Sequence, residues 1–301
     1  MKKRILAVGS VALDTIKTPF GSVQDALGGS ATFFSAAARF FAPVSVVAVV
    51  GEDFPSKHLA RLKRLGVDIR GIQVDKGRTF RWKGFYDYDL NAAKTLKTEL
   101  NVFQNFKPVI TPEHRNASHV FLANIDPEIQ MSVLSQIKKP ALVACDTMNY
   151  WIESKRGGLE KLLKKVDIFL SNDSESREFS GEYNLIKAAQ ALLAKGPKLV
   201  VIKKGEHGVL CFSKNFTFVA PAYLLETIFD PTGAGDTFAG GFFGYLTKAG
   251  RLNEASIRKA VIYGSILASY NVESFSFDRV AGLKATAIES RYKHFRQLTS
   301  F

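Results

Sequence analysis

The sequence predicts an α/β layered fold in which a mostly parallel sheet is covered by helices on both faces. Three observations carry that reading. Short apolar runs rich in β-branched residues recur along the chain. Longer helical stretches separate them. No Pro/Ser-rich linker, internal repeat or low-complexity segment interrupts the pattern. One domain over residues 1–301 is therefore expected.

The first strand is predicted at 5–11 (ILAVGSV) and the second at 44–51 (VSVVAVVG). Further strands follow at 119–125 (HVFLANI), 141–146 (ALVACD), 167–172 (DIFLSN), 199–205 (LVVIKKG) and 208–213 (GVLCFS). Each run is nearly unbroken in apolar character, as a strand buried on both faces must be. Helical stretches lie between them at 30–41, 55–65, 128–136, 156–165, 174–180 and 184–195, and after them at 235–249 and 253–270. One region breaks the alternation. Residues 79–90 (TFRWKGFYDYDL) are aromatic and alternate in polarity with no helix after them, which predicts an antiparallel ribbon. With 15–27 (TIKTPFGSVQDAL) it forms a small sheet standing off the main domain, so lid segments at 15–27 and 73–103 are expected. Ligands of α/β folds bind outside the carboxyl ends of the strands, where such a flap can cover them. The same ribbon is an edge suited to a homodimer through the lid.

The chain carries 41 Lys and Arg against 28 Asp and Glu, a formal charge of +13, with 46% hydrophobic and 23% charged residues. That composition is globular, and its charge favours anionic partners such as nucleotides or phosphorylated metabolites. It has no basic-aromatic recognition motif or basic helix, so no specific nucleic-acid partner is expected. Cys145 and Cys211 each sit in an apolar run, as two buried thiols in a reducing compartment would. The opening MKKRILAVGSVALD imitates a signal peptide, but Asp14 closes its apolar part early. No run approaches the ~18 apolar residues of a membrane helix. A cytoplasmic protein without a membrane partner is expected.

Residues 229–241 read FDPTGAGDTFAGG. A dinucleotide fingerprint needs a third glycine, but Gly235 is followed by Asp236, Thr237 and Phe238. A Walker loop needs G-K-[ST], and the stretch holds no lysine. What remains is a turn whose successive amides, Ala234 to Asp236, converge at a helix start and make an anion site. A carboxylate there repels the anion unless it removes a proton from a hydroxyl while the amides hold the transferring phosphoryl group. On this stretch alone, Asp236 as a simple helix cap remains an open alternative.

DPTGAGDTFAGGF closely resembles the C-terminal signature of the ribokinase-like, or PfkB, family of carbohydrate and nucleoside kinases. LGGSATFFSAAARF (27–40) is similar to the family's N-terminal glycine-pair motif, and VVGEDF (49–54) to the strand that follows. NDSE (172–175) resembles its N-x-x-E motif, and KKGEHG (203–208) the strand and turn before the nucleotide loop. The resemblance covers nearly the whole length. It implies a ribokinase-like three-layer α/β/α fold with a small β-ribbon lid, and an ATP- and Mg²⁺-dependent kinase acting on a hydroxyl of a sugar or sugar-like acceptor.

By the same resemblance, Asp236 is the general base and the amides of Gly233, Ala234 and Gly235 form the anion hole. Asn172 and Glu175 order Mg²⁺, through water, and the nucleotide phosphates, and Lys204 and Gly205 bind the nucleotide. Asp14 matches the acceptor-binding aspartate, and Gly28 and Gly29 let backbone approach the acceptor. Asp230 matches a position tied in some members to a monovalent cation such as K⁺.

The acceptor side departs from the family pattern. Thr32 and Phe33 stand where an asparagine contacts the sugar, and an aromatic there suits stacking on a base or ring face. DTMNYW (146–151) matches the family's D-x-N-x-R only loosely, with Trp151 where a basic residue is usual. Arg81 and Lys83 on the ribbon are the expected basic substitutes, and Asn101, Asn124 and Asn149 are polar residues that would matter if they converged. A nucleoside kinase is the alternative, motivated by Phe33 and by Phe80, Trp82, Phe85 and Tyr86 of the lid. A nucleotide-binding regulator without catalysis is a further reading, against which the intact Asp236 and Glu175 argue.

Overall fold

The computed structural model describes residues 3–91 and 93–300. The chain opens with β1 (Ile5–Val8), β2 (Ala12–Thr18) and β3 (Gly21–Gly28), followed by α1 (Ser30–Ala38) and β4 (Val44–Gly51). α2 (Ser56–Arg64) leads into β5 (Asp68–Asp75), and then come β6 (Arg81–Phe85) and β7 (Lys94–Glu99). A run of βα units continues through β8 (His119–Leu122), α3 (Pro127–Gln136), β9 (Leu142–Cys145), α4 (Asn149–Ser154) and α5 (Arg156–Leu163). After them stand β10 (Ile168–Asn172), α6 (Asp173–Ser180), α7 (Leu185–Ala194) and β11 (Leu199–Lys203). The hairpin β12 (Val209–Ser213) and β13 (Thr217–Ala220) precedes α8 (Ala234–Ala249), α9 (Glu254–Asn271), α10 (Asp278–Ala281) and α11 (Ala285–Thr299).

Nine strands form the main sheet in the order β13-β12-β11-β10-β9-β8-β1-β4-β5. All neighbours from β11 across to β5 pair parallel, and only β11–β12 and β12–β13 are antiparallel. The period-2 alternation of each strand feeds two apolar layers. Leu6 and Val8 of β1 pack with Val133 of α3 and Leu159 of α5, whereas Ile5 and Ala7 pack with Phe34 of α1 and Phe242 of α8. The predicted strands are therefore in place, flanked by helices on both faces. β5 and β13 were not expected: both are edge strands, β5 interrupted by polar residues and β13 only four residues long, so neither shows the apolar run of a central strand.

α8 packs unusually close to α1. A methyl at Gly240 would stand 2.2 Å from the Phe34 carbonyl oxygen, and one at Gly244 3.0 Å from Ala38 Cα. Backbone meets backbone along this seam, and both helices begin at the same end of the main sheet.

A second, four-stranded sheet has the order β3-β2-β6-β7. Its β2–β3 and β6–β7 pairs are antiparallel, but β2 and β6 run parallel, so the predicted antiparallel ribbon is one half of a mixed sheet. Residues 73–75 complete β5 in the main sheet, so the small sheet comprises Ala12–Gly28 and Arg81–Glu99. Arg81 pairs with Asp25 across the small sheet and, at 2.9 Å, with Asp53 after β4, and the second pair ties the sheet to the main body. Among the described residues no helix is long and apolar enough to cross a membrane.

Candidate active site

The carboxyl ends of β9, β10 and β11 present Asp146, Asn172 and Lys203 toward one cleft, and the first turn of α8 brings Asp236 there. The turn before α8 explains how. Gly233 takes φ +73°, a left-handed conformation that costs other residues about 1–2 kcal/mol. A methyl there would also stand 2.4 Å from the Phe33 ring. The Ala234 amide donates to the Pro231 carbonyl at 3.1 Å, and the Thr237 amide to Gly233 at 2.8 Å. The amides of Gly233, Gly235 and Asp236 donate to no protein acceptor among the described residues. These three, rather than the expected Gly233–Ala234–Gly235 set, are the open donors at the helix start.

Asp236 stands between two groups of charges. Burial, and then the Asp146 carboxylate, raise its carboxyl to about 7 against the pull of Lys203, although it keeps partial contact with solvent. On one side lie Asp146, Lys203 and Glu175. Lys203 Nζ donates to Asp146 Oδ2 at 2.7 Å. Burial alone would lower the ammonium, but Asp146 and then Glu175 hold it above the ordinary lysine value. Glu175 closes a capping box with Asn172: each backbone amide donates to the other's side chain at 2.7 Å. Burial pushes the Glu175 carboxyl well up, and Lys203 opposes this.

On the other side lie Asp14, Tyr86 and Asp230. Asp14 in β2 is 5% exposed. Burial first, then the Asp230 carboxylate, raise it to about 7, against the Gly29 backbone amide. A methyl at Gly28 would fall 1.8 Å from Asp14 Oδ2, so the expected glycine pair is the surface on which this carboxylate lies. Tyr86 follows β6 and accepts a hydrogen bond from Thr232 Oγ1 at 3.3 Å, which joins the small sheet to the α8 turn. Burial pushes its hydroxyl up to about 12. Asp230 is fully buried and accepts from the amides of Thr232 (2.9 Å) and Ser276 (3.2 Å). Two clusters thus face each other across Asp236, one fit for phosphates and one rich in hydroxyl acceptors.

A family model described as pfkB family carbohydrate kinase matches residues 2–279. The chain belongs to the PfkB family. It is a phosphotransferase acting on a hydroxyl group. A cytidine kinase of Thermococcus kodakarensis is 32% identical over 255 residues, spanning 83% of this chain and 91% of its own. A Burkholderia thailandensis nucleoside kinase solved with ADP and inosine superposes with a TM-score of 0.80 at 16% identity, over 96% of this chain and 95% of its own. An Escherichia coli chain solved with ATP and Mg²⁺ superposes with a TM-score of 0.78 at 19% identity, over 97% and 99%.

For a PfkB chain, several expected contacts are spent elsewhere. Phe33 is 2% exposed and packs beneath Gly233 and edge-on to Phe277 at 6.2 Å, which leaves no ring face for stacking on an acceptor. Thr32 is likewise buried. Arg81 is engaged by Asp25 and Asp53, and Lys83 is exposed. The side chains of Asn101, Asn124 and Asn149 are each engaged within the protein, by the Thr79 carbonyl, the Trp151 indole and Glu178, respectively. Lys204 and Gly205 lie in the turn after β11, where Asn91 of the β6–β7 loop donates to Glu206 at 2.9 Å. Asp146, Lys203 and Thr232 line the same cleft and are not among the residues expected there, whereas Tyr86 is one of the expected lid aromatics. Among the described residues no three His, Cys, Asp or Glu gather to hold a metal by themselves. Glu175 and Asp146 beside the open amides suit a metal that arrives on nucleotide phosphates and takes few protein ligands.

Proposed function

We propose that this chain is an ATP-dependent kinase whose acceptor is a nucleoside, phosphorylated on its primary hydroxyl with Asp236 as base. The observation that carries the acceptor is the cleft face of the small sheet. Trp82 shares register and face with Asp14, and its ring folds over Gly84, where a methyl would stand 2.4 Å from it. Tyr86 continues that face toward Thr232. An aromatic wall beside a hydroxyl-binding carboxylate fits a ligand with a flat base on a polyhydroxylated ring. The identity with a cytidine kinase supports the same reading.

Asp14 orients the acceptor hydroxyls, and the Gly233, Gly235 and Asp236 amides hold oxygens of the γ-phosphoryl group. Asp236 takes the proton of the attacking hydroxyl as its oxygen bonds to phosphorus and ADP leaves. Asn172 and Glu175 would hold Mg²⁺ through water, and the ion would supply charge neutralisation on the phosphates. Tyr86 and Asn91 close the small sheet over the cleft and exclude water. A monovalent cation beside Asp230 would offset the buried carboxylate there.

The test is ADP release across a panel of nucleosides and sugars at equal concentration, with phosphorus NMR of the product. Nucleoside 5′-phosphate formation at a higher kcat/KM than any sugar is expected. Turnover of sugars with none of the nucleosides would overturn the acceptor, and unaltered turnover by Asp236→Asn would overturn the base.

A further inference from the structure

Lys203 has no role in the family pattern laid out above, yet it is the cation nearest the helix-start amides. Its ammonium is paired with Asp146 and lies among three carboxylates: Asp146, Glu175 and Asp236. A methyl at Gly235 would stand 3.3 Å from Nζ, so the lysine head rests directly against the turn that bears the open amides. Gly235 lies in ordinary helical backbone rather than among the positive-φ glycines. Its missing side chain is what leaves the ammonium room at that turn.

We propose that Lys203 is a further catalytic residue, a mobile cation that leaves Asp146 for the γ-phosphoryl group held by the Gly233–Asp236 turn. The proposal rests on the phosphoryl-transfer geometry assigned above. Charge count makes the move favourable. Without nucleotide, the ammonium answers the acids around it. A polyanionic phosphate entering the same space is a stronger partner, and its negative oxygens gain a donor that the amides alone do not provide. Lys203 keeps its protons throughout. The acceptor oxygen bonds to phosphorus, its proton goes to Asp236, and the bond to the ADP oxygen breaks.

The alternative is that Lys203 only neutralises Asp146. Lys203→Met removes the charge at similar length, and Lys203→Arg keeps it. The double variant Asp146→Asn/Lys203→Met removes both charges and leaves no buried charge unpaired, so it folds even where the single variant does not. Removing one preorganised donor of this type lowers turnover by about 10²–10³-fold. The expectation is a fall of that order in kcat for Lys203→Met and for the double variant. Nucleotide KM should change far less, and Lys203→Arg should recover part of the loss. A double variant restored to wild-type kcat would overturn the proposal.

A second readout needs no acceptor. Calorimetry compares binding of ADP with Mg²⁺ before and after addition of aluminium fluoride, a mimic of the transferring phosphoryl. The wild type should bind more tightly with the fluoride present, and the double variant should lose at least ~10-fold of that gain. An equal gain in both proteins overturns the role of Lys203. A wild type that phosphorylates no nucleoside overturns only the acceptor.

Discussion

Replacing Asp236 by Asn should make the protein more stable in alkaline solution while stopping turnover. The folded carboxyl is raised from 3.8 to about 7, chiefly by burial and then by Asp146. At about 1.36 kcal/mol per tenfold change in acidity, ionising it inside the fold costs up to about 4 kcal/mol more than in the unfolded chain. The sign follows from proton counts. Below 3.8 both states are protonated and the group contributes nothing. Between 3.8 and about 7 the folded state holds the extra proton, so stability falls as pH rises. Above about 7 the penalty is constant and complete. Asn has no such slope, whereas Asp14 contributes its own in both proteins and cancels apart from the smallest share of its shift, which the Asp236 carboxylate supplies. Partial solvent contact trims the effect, so the variant should gain about 1–3 kcal/mol over wild type between pH 5 and pH 8.5. The unbonded amide adds a pH-independent cost, so the slope is the quantity to read. Urea unfolding across that range measures it. Steady-state assays should show kcat reduced about 10²–10⁴-fold with nucleotide affinity little altered, and wild-type kcat/KM rising through pH ~7. Parallel stability profiles for the two proteins would refute the placement of an ionisation-resistant carboxyl at this turn.

Three other changes test neighbouring parts of the site. Gly233→Ala meets both a left-handed backbone and the Phe33 ring, and should cost about 2–4 kcal/mol in a denaturant melt. The double variant with Phe33→Leu should recover part of that loss, and no recovery would mean that the ring is not the obstacle. Tyr86→Phe deletes the hydroxyl that meets Thr232, a bond worth about 0.5–1.5 kcal/mol. Acceptor KM should rise several-fold while the melting midpoint falls by no more than about 1–3 °C; an unchanged KM would show that this bond does not help close the cleft. Glu175→Gln preserves the capping box, since Gln reaches the same amide, so α6 should stay folded. The Mg²⁺ concentration for half-maximal rate should rise about tenfold, as expected for a lost outer partner of the metal. An unaltered Mg²⁺ dependence speaks against a metal role.

Much of this site is legible in the chain because particular residues have few other uses. Gly233 before a helix, followed by Asp236 and no third glycine, excludes the two common phosphate loops and leaves an anion-binding helix start. Asp14 and the Gly28–Gly29 pair are far apart in function by sequence alone, but a hairpin folds one onto the other. Lys203 was hidden by its neighbour. In LVVIKKG the strand is apolar on both faces, so alternation does not tell which lysine faces the cleft. The pairing of Lys203 beside Asn172 and its reach to Asp146 decide it, and both are tertiary facts. Phe33 misleads for the opposite reason. An aromatic at the acceptor end of α1 reads as a ligand platform, yet its ring supports the Gly233 turn from below. α11 went unread because only Ile288 and Phe295 are buried along it, too sparse a stripe to mark a helix.

The glycine seam between α1 and α8 bears on how such an enzyme changes its diet over evolutionary time. Asp14, the proposed anchor of the acceptor, lies against the head of one helix, and Asp236, the proposed base, sits on the head of the other; with backbone against backbone these two helices have almost no slack. The span from anchored hydroxyls to base is thereby a constant of the chassis, a ruler that admits one alcohol position whatever the rest of the molecule looks like. Novelty has to enter through the small sheet, where Trp82 and its neighbours sit on separate strands joined to the main body by few ties. Descendants of this chain can then drift toward new acceptors by re-facing one sheet, with no need to rediscover the reaction each time.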